Sequence, residues 1–158
     1  RCALAEVYRD QGRIADAERE WRAAVAEQPS FTPAWLCLGD MWLASGLSDR
    51  AVQLADQLIA DPKTTFDGKL LKARCHMIRK DFPAAKALLS ELIAERPTAP
   101  WPRELLAHTL LHEGRDTTGL IETLEHLLQL DPTNGFAMQQ LPLAKDQLKK
   151  VESAAGLL

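Results

Sequence analysis

The chain has 158 residues, enough for one domain with a real core. Hydrophobic residues make up 46% and charged residues 26%, the balance of an ordinary soluble protein, and a formal net charge of −3 leaves no basic excess for nucleic acid. No apolar run could span a membrane, no signal peptide is visible, and the three cysteines (Cys2, Cys37, Cys75) have no metal-ligand spacing; they fit a reducing compartment, so a cytoplasmic location is expected.

The first stretch reads as two helices. Leu4, Tyr8 and Gln11 share one helical face, and Ile14, Ala17, Trp21, Ala24 and Val25 share the next. Gly12 between them suits the left-handed backbone that ends a helix. Arg1-Cys2 falls inside the first helix, as in an excised piece, and leaves Val7 and Ile14 as an uncovered apolar edge. Pro33 then stands where a first helical turn starts, followed by Trp35, Leu38, Gly39 and Trp42. Gly46 closes that helix, and Ala51 and Leu58 sit on the next. Pro83 opens a later helix in the same way. Farther on, Leu120, Leu124 and Leu127 make an apolar seam, which requires one extra residue in the Gly114–Asp116 turn. After Pro132 a further helix runs to about Leu141, where Pro142 removes a donor and crowds the preceding turn; a bent continuation to residue 152 acts as a cap, and 153–158 are a frayed tail.

Shifting the sequence by 34 residues aligns Ala5, Gly39, Ala73 and Ala107 in one column and Ala17, Ala51, Ala85 and Gly119 in another. Gly12, Gly46, Lys80 and Gly114 form a third, and Pro29, Pro62, Pro97 and Pro132 keep similar time. Alanine where leucine would bury more surface means two backbones crossing closely, with Trp21 and Tyr8 filling the wider gaps.

Leu4-Ala5-x-x-Tyr8-x-x-x-Gly12 with Ala17, Trp21, Ala24 and Pro29 resembles a tetratricopeptide repeat, and Trp35-x-x-Leu38-Gly39-x-x-Trp42-x-x-x-Gly46 with Ala51, Leu58 and Pro62 resembles a second. The resemblance implies an all-α, right-handed α-solenoid of about four helix-turn-helix units (1–31, 32–65, 66–99, 100–134) plus a capping helix (135–152), in a single domain. Lys69, Lys72 and Lys80 depart from the pattern in the third unit. The resemblance also implies a noncatalytic interaction or scaffolding module whose first helices line a groove for a protein or peptide segment. A looser resemblance, carried by "VYRDQGRIADAEREWRAAVAEQPSFTPAWLCLGD" and "WPRELLAHTLLHEGRD", is to the repeat arrays trailing bacterial family-2 glycosyltransferases. It implies an accessory or regulatory part of an enzyme whose catalytic half lies outside this chain.

Candidate chemistry is sparse. His108 and His112 stand at i and i+4, a spacing zinc can use, but without His-Glu-x-x-His order or a third ligand they read as a polar surface pair. His76 reads as a packed or capping histidine, and His126 as a residue late in a helix. Gly46-Leu47-Ser48 is a turn and no nucleophile elbow. Trp35 and Trp42 read as packing residues, whereas Trp101, between Pro100 and Pro102, is the tryptophan expected to be partly exposed. No catalytic, cofactor or metal residue is assigned.

The period places Glu6, Asp40, Arg74 and His108 in one groove column and Arg9, Leu43, Met77 and Leu111 in a second, three residues along the same helices. The first column changes sign from acidic to basic; the second is mostly apolar, with an adaptable methionine. The expected occupant is a protein segment with apolar anchors, basic toward unit one and acidic toward unit three. Glu6 and Asp40 at the entrance oppose the carboxylate clamp that the chaperone-binding branch of the family implies. Self-association through the solenoid ends is the other expected contact.

Overall fold

The computed structural model describes residues 1–156. Among them are nine α-helices and no strand: α1 (Cys2–Asp10), α2 (Ile14–Glu27), α3 (Thr32–Ala44), α4 (Ser48–Ala60), α5 (Thr65–Ile78), α6 (Phe82–Glu95), α7 (Pro100–Glu113), α8 (Thr117–Leu130) and α9 (Gly135–Ala154). They fall into two compact units, the first from Arg1 to Ile78 and the second from Arg79 onward.

In unit 1, α1 packs on α2, α2 on α3, α3 on α4 and α5, and α4 on α5. The small-residue columns lie inside the core: Ala5, Ala17, Ala51 and Ala73 are completely buried. A Cβ on Gly39 would stand 2.2 Å from Cδ1 of Leu71. Trp21 is completely buried in the same core, with Leu38, Met41, Trp42 and Leu58. Leucine in an alanine column would overpack these crossings by about 1–3 kcal/mol.

The α1 face is narrower than the sequence implies. Leu4 is 44% exposed although its neighbour Ala5 is fully buried. Successive residues point about 100° apart around a helix, so the close crossing at Ala5 turns Leu4 away from the core. Ile14, at the start of α2, is also exposed.

The turns follow the glycine column. Gly12, Gly46 and Gly114 have φ of 74°, 73° and 69°, and Lys80 keeps the same left-handed backbone at φ 60°. The Asp-Pro links use the aspartate as a turn acceptor: the Lys63 N–H donates to Asp61 Oδ1 (2.9 Å) and the Thr133 N–H to Asp131 Oδ1 (3.2 Å). Beyond the first link, the Thr64 hydroxyl donates to the Leu58 carbonyl (2.9 Å) and the Thr65 hydroxyl to that of Ile59 (3.1 Å). These bonds satisfy carbonyls at the end of α4 and fasten the start of α5 to it. Gly68 then lets α5 lie directly on α4; a Cβ there would stand 2.6 Å from the Ile59 nitrogen and 2.8 Å from the Ala55 oxygen.

In unit 2, α6 packs on α7, α7 on α8 and α8 on α9. Leu120, Leu124 and Leu127 form the buried seam, as the extra turn residue requires, together with Ala107, Leu110, Ala137 and Ala144. Gly119 has a different reason for being small. Its N–H donates to Asp116 Oδ1 (2.8 Å), and a Cβ would stand 2.3 Å from Asp116 Oδ2. It therefore serves the N-cap of α8 instead of a helix crossing. Asn134 caps α9 in the same way through the Ala137 N–H (2.9 Å).

Pro142 does not end its helix. α9 runs through it as one helix, and continues past 152 to Ala154. Pro142 and Met138, whose carbonyl loses its N–H partner, both face solvent, where water can take the place of the missing donor. Ser153 and Ala154 are accordingly helical and not part of a frayed tail; Leu157 and Leu158 lie outside the described residues.

Candidate interaction surface

Helices α1, α3 and α5 of unit 1 carry six of the eight groove residues expected from the period. Arg74 on α5 is ion-paired with Asp40 on α3. The Arg74 side chain is 27% exposed and its Nε is buried without a hydrogen-bond partner, so its stem lies in the surface and its tip reaches Asp40. Glu6, Arg9 and Asp40 all lie near the Cys37 thiol. Burial first, and then the carboxylates of Asp40 and Glu6, push that thiol above its ordinary pKa, with Arg9 opposing them. Arg9 is itself held charged by its ion pair with Asp10. Leu43 and Cys37 are half-buried against the core, and Met77 is half-buried on α5.

Cys37 was missed in the sequence, although it stands three residues before Asp40 and so shares its face. The charged column does change sign, but its acidic and basic members at Asp40 and Arg74 neutralise each other.

The remaining two expected residues belong to unit 2. His108 is half-buried and stacks on Phe136 of α9, with ring centroids 3.9 Å apart and planes at 20°. Leu111 is 37% exposed. His112 Nδ1 lies 2.8 Å from the His108 carbonyl oxygen, so one ring nitrogen of the pair is occupied by its own helix. Among the described residues no three His, Cys, Asp or Glu side chains are grouped to hold a metal. None of the three cysteines is in a disulfide, and no described helix is long and apolar enough to cross a membrane. Trp101 is 49% exposed, as its Pro flanks imply.

The other side of α3 holds a feature that the repeat columns did not indicate. Trp35, Leu38 and Trp42 line a cavity of about 390 Å³ with Val25 of α2 and Leu54 of α4. The helical period puts these α3 residues roughly opposite Asp40. Arg22, Arg50, Gln53 and Gln57 complete its wall.

Comparison with known proteins bears on the fold. Residues 2–64 match the family model for the tetratricopeptide repeat. Cellulose synthase operon protein C of Pseudomonas fluorescens (strain SBW25) is 27% identical over 166 residues, an alignment covering 99% of this chain and 13% of that protein. The chain thus spans about an eighth of the length of this relative. A tetratricopeptide repeat protein from Parabacteroides merdae ATCC 43184 superposes with a TM-score of 0.62 at 19% identity, covering 94% of this chain and 62% of that one. A chain of the APC/C hetero-tetramer Cut9-Hcn1 superposes with a TM-score of 0.69 at 18% identity, covering 99% and 31%. At these identities the structural likeness speaks for the fold alone. The small-residue columns, the left-handed turns and the matched segment agree: residues 2–64 match the tetratricopeptide repeat, and the chain has the all-α fold of such repeats.

Proposed function

We propose that the chain is a noncatalytic protein-interaction module and that unit 1 binds a protein segment along α1, α3 and α5. The observation supporting this reading is the surface formed around Cys37 by Glu6, Arg9, Asp40 and the Asp40–Arg74 pair, flanked by Leu43 and Met77. It offers apolar contact beside charges of both signs, which sets the register of a bound segment more than its raw affinity. Because Asp40 and Arg74 satisfy each other, a partner must carry its own paired charges at that point or exchange with one of them. The test is peptide binding to the wild type, to Arg74→Glu and to Arg19→Glu, a reversal on α2. Loss with the first alone supports the surface; equal effects, or none, sink it. A cytoplasmic location belongs to this reading and rests on the three cysteines outside disulfides.

A second reading is favoured by the similarity to cellulose synthase operon protein C. The repeats would then be an accessory part of a larger polysaccharide-synthesis protein, a glycosyltransferase being the form the sequence resemblance implies. The coding sequence on either side of these residues decides it. An adjoining transferase domain supports the accessory role, whereas further bare repeats support a free-standing scaffold.

A further inference from the structure

We propose that the cavity between α2, α3 and α4 is a second docking site, taking an aliphatic side chain flanked by carboxylates from an acidic protein segment. It lies on the far side of α3 from the surface described above and does not depend on it. At about 390 Å³ the cavity is the size of a small ligand site and has room for one anchoring side chain. Its floor is apolar: Val25, Leu38, Leu54 and the two indoles.

The charge of the wall selects the partner. Arg22 is held by Glu18, with Nε 2.9 Å from Glu18 Oε1, and its guanidinium lies 5.3 Å from the centre of the Trp42 ring. That contact fixes one cation over the aromatic wall. Arg50 is exposed, and its guanidinium has no ion pair or hydrogen bond among the described residues. Gln53 and Gln57, both exposed, add neutral donors and no carboxylate. The rim therefore has one committed and one uncommitted guanidinium, so a carboxylate is the complementary charge. Trp35 gives its indole N–H to the Pro29 carbonyl (2.8 Å), but the Trp42 indole N–H is buried without a partner. A buried donor of that kind is uncommon and calls for a partner; the Trp21 indole N–H, within the core, is a second one.

Three fluorescein-labelled peptides test this by anisotropy: Glu-Asp-Leu-Asp-Glu, the same peptide with Ala at its centre, and Lys-Lys-Leu-Lys-Lys. The leucine-centred acidic peptide should bind saturably, the alanine version more weakly, and the basic one not at all. Arg50→Glu should weaken the acidic peptide about tenfold or more. Gln57→Glu, a second exposed substitution that keeps Arg50, should weaken it too. Arg74→Glu should leave it unchanged, which separates this site from the α1–α3–α5 surface. In a ¹H–¹⁵N spectrum the peptide should shift the indole signals of Trp35 and Trp42 and leave that of Trp101 in place. No binding at millimolar peptide, equal binding by Arg50→Glu, or loss with Arg74→Glu would each overturn the proposal.

Discussion

Arg74 and Asp40, one repeat period apart at 34 residues, form an ion pair between α5 and α3. Equivalent positions of successive repeats thus meet in space, and the sign change along the column is a contact within the protein. Both side chains keep contact with water, so the pair itself adds little stability. Arg74→Glu should lower stability in urea by about 0.5–1 kcal/mol, through loss of the pair and repulsion from Asp40. The exchanged double variant, Asp40→Arg with Arg74→Asp, should recover most of that loss. If the double variant is no better than the sum of its singles, the two side chains are not coupled in solution.

Lys80 holds a left-handed backbone that glycine holds at the equivalent Gly12, Gly46 and Gly114. That conformation strains a residue with a Cβ by about 1–2 kcal/mol, partly offset because glycine loses more freedom on folding. Lys80→Gly should raise stability by roughly 0.5–1 kcal/mol in a denaturant titration. A lower midpoint would mean that Lys80 makes a compensating contact.

Gly68 and Gly39 are both helical, but their neighbours differ. A methyl on Gly68 meets backbone atoms of α4, which move only if the whole helix moves. On Gly39 it meets the end of the Leu71 side chain, which can rotate. Gly68→Ala should therefore cost about 1–3 kcal/mol, despite alanine's better helix propensity, and Gly39→Ala clearly less. The reverse order in thermal melts would contradict the close α4–α5 approach.

Asp16, in the first turn of α2, is held below its ordinary pKa by Arg13 first and also by Arg19. A carboxylate depressed in the folded state contributes stability above its unfolded pKa and loses it as pH falls through the folded value. Asp16→Asn should therefore melt below the wild type at neutral pH, with the gap closing in acid below the usual aspartate range. A gap that persists in acid would show that the effect is not the carboxylate's charge.

The sequence made the repeat legible because close helix crossings leave small residues at a fixed period, and because Gly12, Gly46 and Gly114 mark turns that few other residues tolerate. It was less informative where one residue type serves two ends. Gly119 keeps the alanine column's register, yet is small because it sits over the Asp116 cap. Pro142 reads as a break, yet stands on an exposed face where water can serve the freed carbonyl. That Asp40 and Arg74 fall in one column followed from the period, whereas the cavity did not. Its walls come from α2, α3 and α4 at offsets unrelated to 34 residues, and its tryptophans look like any packed aromatic until the buried Trp42 indole N–H and Arg50, without an ion pair among the described residues, are seen beside them.

Selection of a peptide-display library against the chain, followed by calorimetry of the enriched peptides, tests the central claim most directly. The claim is that this is a module for binding a protein segment on α1, α3 and α5 of unit 1. The expected result is an enriched family with apolar residues beside charges, whose affinity falls by roughly 1–3 kcal/mol with Arg74→Glu and is untouched by Arg19→Glu. Enrichment of no peptide, or of peptides indifferent to Arg74, would contradict it.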